Sequence, residues 1–175
     1  MAELVVRKGE ERDLDQMAEI EKLCFTDPWS REILSEDMLG NMLSTYVVAE
    51  LLPDRAEAAA NSAEAAHDSD KPAAANSAPE IVGYVGFWLV MDECQINNVA
   101  VRPDKQRQHI GRILMTTVMD AAGRAGAKTF TLEVRAGNAA AIALYEGMGF
   151  KRDAVRYGYY SDGEDAVLMS CEVYR

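Results

Sequence analysis

The chain has 175 residues, 49% of them hydrophobic and 27% charged, and its 29 acidic against 18 basic side chains give a formal net charge of −11. This composition suits one globular domain with a buried core. Its acidity disfavours non-specific binding to nucleic acid or an anionic membrane, a task of basic surfaces; solubility is the first reading of the charge, and a cationic partner such as a basic peptide is compatible with it.

Taken in chain order, residues 4–8 form a first strand. Residues 10–24 follow as a helix, with Leu14, Met17, Ile20 and Cys24 three or four apart. Asp27-Pro28 ends it and starts the next helix, over 30–39, since Asp suits an N-cap and Pro a first helical position. Residues 45–51 are β-branched and aromatic, hence a strand. Residues 53–80 differ in kind. They are mostly Ala, Ser, Asn, Asp, Glu and Pro and contain Ala58-Ala59-Ala60-Asn61-Ser62-Ala63, repeated as Ala73-Ala74-Ala75-Asn76-Ser77-Ala78. With almost no large apolar side chain they cannot offset their ordering entropy, and are expected to be a disordered insert in a hairpin loop.

Strands resume at 81–90 and 94–101. A helix covers 111–125, with Gly126 in left-handed conformation after it. A strand at 129–134 leads to a helix at 138–148, capped by Asn138 and ended by Gly149. Strands at 150–155 and 166–173 close the chain. The pattern predicts an α/β fold with a mixed sheet, antiparallel in its first half and with one parallel crossover between 94 and 134. No apolar run reaches the ~18–20 residues of a bilayer span. Met1-Ala2-Glu3-Leu4-Val5-Val6-Arg7-Lys8 does not read as a signal peptide, so the cytoplasm is the expected location.

Cys24, Cys94 and Cys171 show no paired spacing and read as inert thiols. His67 and His109 stand apart, which leaves no zinc pattern and no partner for an activated serine. No metal is expected.

Chemistry concentrates in three places. The strand ending at Val101 runs into a loop with Arg102, Lys105, Arg107 and Arg112, opposed by Asp104. Backbone N–H groups from Gln108 to Arg112 converge at the start of a helix, which suits a pyrophosphate. The loop has neither P-loop nor Gly-x-Gly-x-x-Gly spacing. A merely solvated helix start is the alternative, and the basic residues weaken it by opposing the helix dipole. Second, alternation in the 129–134 strand sets Phe130, Leu132 and Val134 on one face and Thr131, Glu133 and Arg135 on the other. Glu133 is then either a solvated or neutralised carboxylate, or a functional one at the strand end where open α/β sheets hold ligands. Third, Tyr145 lies two turns into an alanine-rich helix, as core packing or as a hydroxyl aimed at a site.

Together these segments resemble the GNAT acyltransferases, over nearly all of the chain outside 53–80. Gln106-Arg107-Gln108-His109-Ile110-Gly111 is similar to that family's acetyl-CoA signature, Arg/Gln-x-x-Gly-x-Gly/Ala, with His109 in place of the first glycine. Leu132-Glu133-Val134-Arg135-Ala136-Gly137-Asn138-Ala139-Ala140-Ala141-Ile142-Ala143-Leu144-Tyr145-Glu146-Gly147-Met148-Gly149-Phe150 resembles the subfamily that acetylates the N-terminal alanine of ribosomal proteins in bacteria. Asp27-Pro28-Trp29-Ser30 and Tyr159-Tyr160 support it.

The resemblance implies a GNAT fold with a twisted mixed sheet of about seven strands and about four helices over 1–175. It implies acetyl-CoA as cosubstrate, held by backbone groups of Val99, Ala100 and Val101, by N–H groups of Arg107, Gln108, His109, Ile110, Gly111 and Arg112, and by Asn138. It implies Glu133 as general base, Tyr145 as general acid and a ribosomal protein N-terminus as acceptor, with no direct role for nucleic acid or membrane. Another amine acceptor, or a silent acetyl-CoA sensor, are the competing functions.

Overall fold

A computed structural model describes residues 3–53 and 78–173. The insert expected at 53–80 therefore lies, but for its ends, outside the described residues. The strands are β1 (Glu3–Lys8), β2 (Ser44–Leu52), β3 (Glu80–Val90), β4 (Glu93–Val101), β5 (Thr129–Arg135), β6 (Lys151–Arg156) and β7 (Ala166–Glu172). They form one sheet in the order β1-β2-β3-β4-β5-β7-β6. The helices are α1 (Leu14–Cys24), α2 (Arg31–Ser35), α3 (Ile110–Arg124) and α4 (Ala139–Glu146). This is the α/β fold expected from the sequence, with a mixed sheet of seven strands and four α-helices among the described residues. Among the described strands all neighbours pair antiparallel except β4 and β5, which run parallel on either side of α3.

Each sheet face carries a core. On one face α3 and α4 bury Ile110, Leu114, Val118, Ile142 and Tyr145 against Val85, Phe87, Phe130 and Leu132. On the other, α1 and α2 bury Leu14, Met17, Ile20 and Leu34 against Tyr46, Val48, Tyr84 and Ala100. Each fully buried aliphatic side chain contributes roughly 1.5–3 kcal/mol by leaving water. Alternation in β5 follows the expected pattern, with Phe130, Leu132 and Val134 buried on the α3/α4 face.

Two helix starts differ from expectation. A 3₁₀ turn, Glu11–Asp13, precedes α1, because the Asp13 carboxylate accepts the Glu10 N–H at 2.8 Å and both guanidinium nitrogens of Arg7. Asp27 does not cap α2. Ser30 does, accepting the Ile33 N–H at 3.3 Å, while the Asp27 carboxylate accepts the Ser161 hydroxyl across the molecule. A π-helical turn, Glu36–Gly40, then carries Asp37 to the hydroxyls of Ser44 and Tyr46 and the indole N–H of Trp88. Helix α4 stops at Glu146, since the Tyr145 carbonyl accepts the Met148 and Phe150 N–H groups and Gly149 turns the chain at φ +95°.

Candidate active site

β4 and β5 pair only from Glu93 and Thr129 to Ile96 and Leu132. Beyond that point they separate, and the rest of β4 is paired on one side alone. Arg102 N–H donates to Val82 O at 2.9 Å, so alternation along this antiparallel pair also commits the Ala100 backbone to β3. The backbone groups of Val99 and Val101 point the other way, into the gap. Val101 O already accepts the Gln106 side-chain N–H at 3.1 Å and the Cys24 thiol at 3.4 Å. Of the three residues expected to hold an extended ligand here, Val99 and Val101 turn backbone groups toward the gap, whereas Ala100 has its backbone on β3 and its methyl in the α1 core.

A cavity of about 440 Å³ opens at the separation and is lined by Asn97, Val99, Glu133, Asn138 and Tyr145 among others. Glu133 reaches it from the α1 side of the sheet and Tyr145 from the α3/α4 side, so the two groups meet only because the strands part. Tyr145 is 6% exposed and packs on Phe150 with ring centroids 5.9 Å apart. Burial, with Tyr160 adding to it, pushes the Tyr145 hydroxyl well above the usual phenol range, which keeps it protonated. Oε1 of Glu133 lies 2.7 Å from Nη1 of Arg156 on β6. Beside it the Glu133 carboxylate, with burial, pushes the Tyr159 hydroxyl up.

The loop expected to cradle a pyrophosphate carries backbone strain. After a 3₁₀ turn, Pro103–Lys105, both Arg107 (φ +63°) and His109 (φ +62°) are left-handed, a region that favours glycine. His109 is the N-cap of α3, and its side chain makes no capping hydrogen bond. The first-turn N–H groups have no intrahelical partner and, among the described residues, no side-chain one, the condition for anion binding. Ile110 is 3% exposed, so its side chain anchors the loop and only its backbone is available. Gly111 lies against Leu144 and Val101. Arg102 does not belong to the cradle: Asp104 takes it with two bonds of 3.0 Å and Glu80 with a third. Arg112 turns to the Gly147 carbonyl, 3.4 Å away.

Asn138 caps α4 by accepting the Ala141 N–H at 3.1 Å, and its side chain borders the cavity. The remaining wall comes from residues that the sequence did not single out as a site. Glu21 on α1 is 1% exposed and accepts the Trp29 N–H at 2.7 Å and the Tyr84 hydroxyl. Burial raises its pKa against those two hydrogen bonds. It thereby fixes the 25–29 segment, which brings Phe25 and Trp29 to the cavity. Opposite, Arg135 holds the β6–β7 loop through Asp162 and Glu164, each at 2.8 Å, and lies 3.9 Å from the Tyr160 ring centre. Glu164 also accepts the Gly137 N–H at 2.8 Å, where any Cβ would lie 2.9 Å from the carboxylate. A carboxylate on the apolar stripe of α1, seven residues after Leu14, was the visible signal for Glu21.

A hollow of about 500 Å³ at the other end of the sheet, lined by Asp92, Gly126, Lys128 and Glu172, gathers none of the candidate residues. Among the described residues no cluster of three or more His, Cys, Asp or Glu side chains could hold a metal, and no helix is long and apolar enough to cross a membrane.

A sheet split at its parallel pair, beside the start of α3, is the frame on which these residues meet. The chain belongs to the GNAT acetyltransferase family, whose model, described as Acetyltransferase (GNAT) family, matches residues 14–150. It is similar to the [ribosomal protein bS18]-alanine N-acetyltransferase of Escherichia coli (strain K12), with 48% identity over 88 residues, 49% of this chain and 60% of that protein. A Bacillus subtilis (strain 168) protein, provisionally named for the same activity, is 31% identical over 165 residues, 94% of this chain and 92% of its own. The crystal structure of the ribosomal-protein-S18-alanine N-acetyltransferase from Escherichia coli superposes with a TM-score of 0.76 at 29% identity, covering 99% of this chain and 96% of that one.

Proposed function

We propose that this chain transfers acetyl from acetyl-CoA to the α-amine of a protein N-terminus, most simply the N-terminal alanine of a ribosomal protein. One observation carries the reading: a carboxylate from one sheet face and a buried, protonated phenol from the other line a single cavity at the parting of β4 and β5. The acceptor is taken from the names of the bacterial relatives.

In this reading the N–H groups of Arg107, Gln108, His109, Ile110, Gly111 and Arg112 hold the pyrophosphate, and Val99, Val101 and Asn138 align the pantetheine arm. Acetyl-CoA supplies a thioester whose leaving thiolate, near pKa ~8.5 when free, is a fair leaving group. Glu133 accepts a proton from the α-amine, which with a pKa of ~8 is mostly protonated at neutral pH. A backbone N–H at Val99 or Val101 donates to the carbonyl oxygen as charge builds on it. Tyr145 donates its proton to the departing sulfur. No side chain needs to carry the acetyl group. The whole chain is read as one such domain, with 53–80 as an insert between β2 and β3 and the cytoplasm as its place of action.

Mass spectrometry of a peptide panel tests this. With acetyl-CoA, the purified protein is expected to add one acetyl group to a basic peptide starting with Ala. It should add none to the same peptide with a blocked N-terminus and a free lysine. Acetylation of the lysine peptide alone, or of neither, would contradict the reading.

A further inference from the structure

The mechanism above leaves one feature of the cavity unused. The side-chain amide nitrogens of Asn97 and Asn98 are buried and have no hydrogen-bond partner among the described residues. A buried donor without an acceptor is costly, so a folded protein keeps one where something else supplies the acceptor. Both residues line the cavity between β4 and β5.

Their position follows from a β-bulge. Phe87 pairs with Ile96 and Gly86 with Asn98, which leaves Asn97 as the extra residue on β4. Cys94 and Ile96 face the α3/α4 core, and so do Val99 and Val101, whereas Ala100 faces the α1 core. The change of parity between Ile96 and Val99 turns both asparagines to the α1 side. Glu133 is on that side too. Ile96 and Leu132 are the last paired residues of the parallel ladder, so Asn97 and Glu133 are the next residue on each strand and stand side by side at its open end. Asn97 also lines an adjoining hollow of about 420 Å³ on the same face, again with Glu133, Trp29 and Tyr159. Asn98 lines only the first.

We propose that the Asn97 amide recognises the carbonyl oxygen of the acceptor's first residue, and so makes the site selective for peptide α-amines. This rests on the reading that an amine is presented to Glu133. In a peptide N-terminus the amine nitrogen and its own carbonyl oxygen are separated only by Cα and the carbonyl carbon. An amine hydrogen-bonded to Glu133 therefore sets that oxygen within reach of the donor beside Glu133. A lysine side chain or a polyamine has no acceptor at that separation and leaves Asn97 unpaired. Discrimination by an unpaired buried group is of the kind that polar sites achieve and apolar pockets do not.

The test compares wild type, Asn97→Ala and the isosteric Asn97→Leu on two amines: an Ala-starting peptide, and its analogue with the first peptide bond replaced by a trans-alkene. Wild type should prefer the peptide in kcat/KM by roughly 10- to 100-fold, the range of one buried hydrogen bond. In both variants the peptide rate should fall to that of the alkene while the alkene rate holds. The Kd for acetyl-CoA should not rise and the Tm should not fall, because the donor has no partner among the described residues to lose. A preference that survives both substitutions, or an equal loss on both amines, would overturn the inference while leaving the proposed function standing. Failure of the wild type to acetylate the peptide at all would overturn the proposed function itself, and this inference with it.

Discussion

Nη1 of Arg156 lies 2.7 Å from Oε1 of Glu133, joining an exposed edge strand to the carboxylate at the mouth of the cavity. The pair is reached across the sheet: β6 lies beyond β7, and β7 beyond β5. Half of the Arg156 side chain is exposed, so solvent screens the interaction and its worth is ~0.2–1 kcal/mol. Its effect is to orient the carboxylate. Arg156→Ala should therefore leave Tm nearly unchanged and lower kcat/KM by at most about fivefold, the rate equivalent of that energy. Steady-state kinetics beside a thermal melt measure both.

Tyr145 offers a sharper contrast. Burial favours its neutral form, so its pKa in the folded protein lies above the ~10 of an unfolded chain. The phenol then carries its proton throughout the neutral range, and kcat should show no alkaline decline from this group below pH 10. Above that pH the unfolded chain ionises first, and the stability contributed by the buried neutral phenol is lost as pH rises. Tyr145→Phe keeps the packing on Phe150 and should cost little stability, yet lower kcat by ~10²–10⁴.

Glu21 links pH to stability in the same sense. Burial raises its pKa in the fold, so its contribution is fully present below the unfolded value of ~4.3 and is lost as pH rises through the folded one. Glutamine can accept the Trp29 N–H with its oxygen and donate to the Tyr84 hydroxyl with its nitrogen, without burying a charge. Glu21→Gln should therefore be more stable than wild type at pH 7, with the difference vanishing near pH 4. Glu21→Ala leaves the Trp29 N–H and the Tyr84 hydroxyl without their acceptor and should cost ~2–4 kcal/mol. Melts across pH 4–8 separate the two.

His109 tests how much the cradle tolerates. Its left-handed backbone stores about 1–2 kcal/mol, and glycine would relieve that while adding ~0.5–1 kcal/mol of unfolded-chain entropy. The two nearly cancel. His109→Gly should shift stability by no more than about 1 kcal/mol, and wild type should bind acetyl-CoA by titration calorimetry. A β-branched residue, as in His109→Val, should be clearly worse in both respects.

Much of this was readable from residue order, for identifiable reasons. Apolar and β-branched runs mark most of the strands, and period two in Thr129–Arg135 sets Glu133 apart from its apolar neighbours. The Asn138 cap was visible because Asn stands directly before an alanine-rich helix. What escaped was decided by distant contacts. Asp27 reads as a cap until its partner, Ser161, 134 residues away, is known. Arg102 reads as one free charge of a basic loop until Glu80 and Asp104 take it. The parting of β4 and β5 after Ile96 has no local signature, and neither does the commitment of Ala100 to β3.

The most direct measurement is single-turnover acetyl transfer to an Ala-starting peptide by wild type and Glu133→Gln, with the Kd for acetyl-CoA measured alongside. Glutamine keeps the size of the side chain and removes its basicity. The account predicts a rate lower by ~10²–10⁴ with the Kd unchanged. An undiminished rate would contradict it, since the proton would then leave the amine by another route.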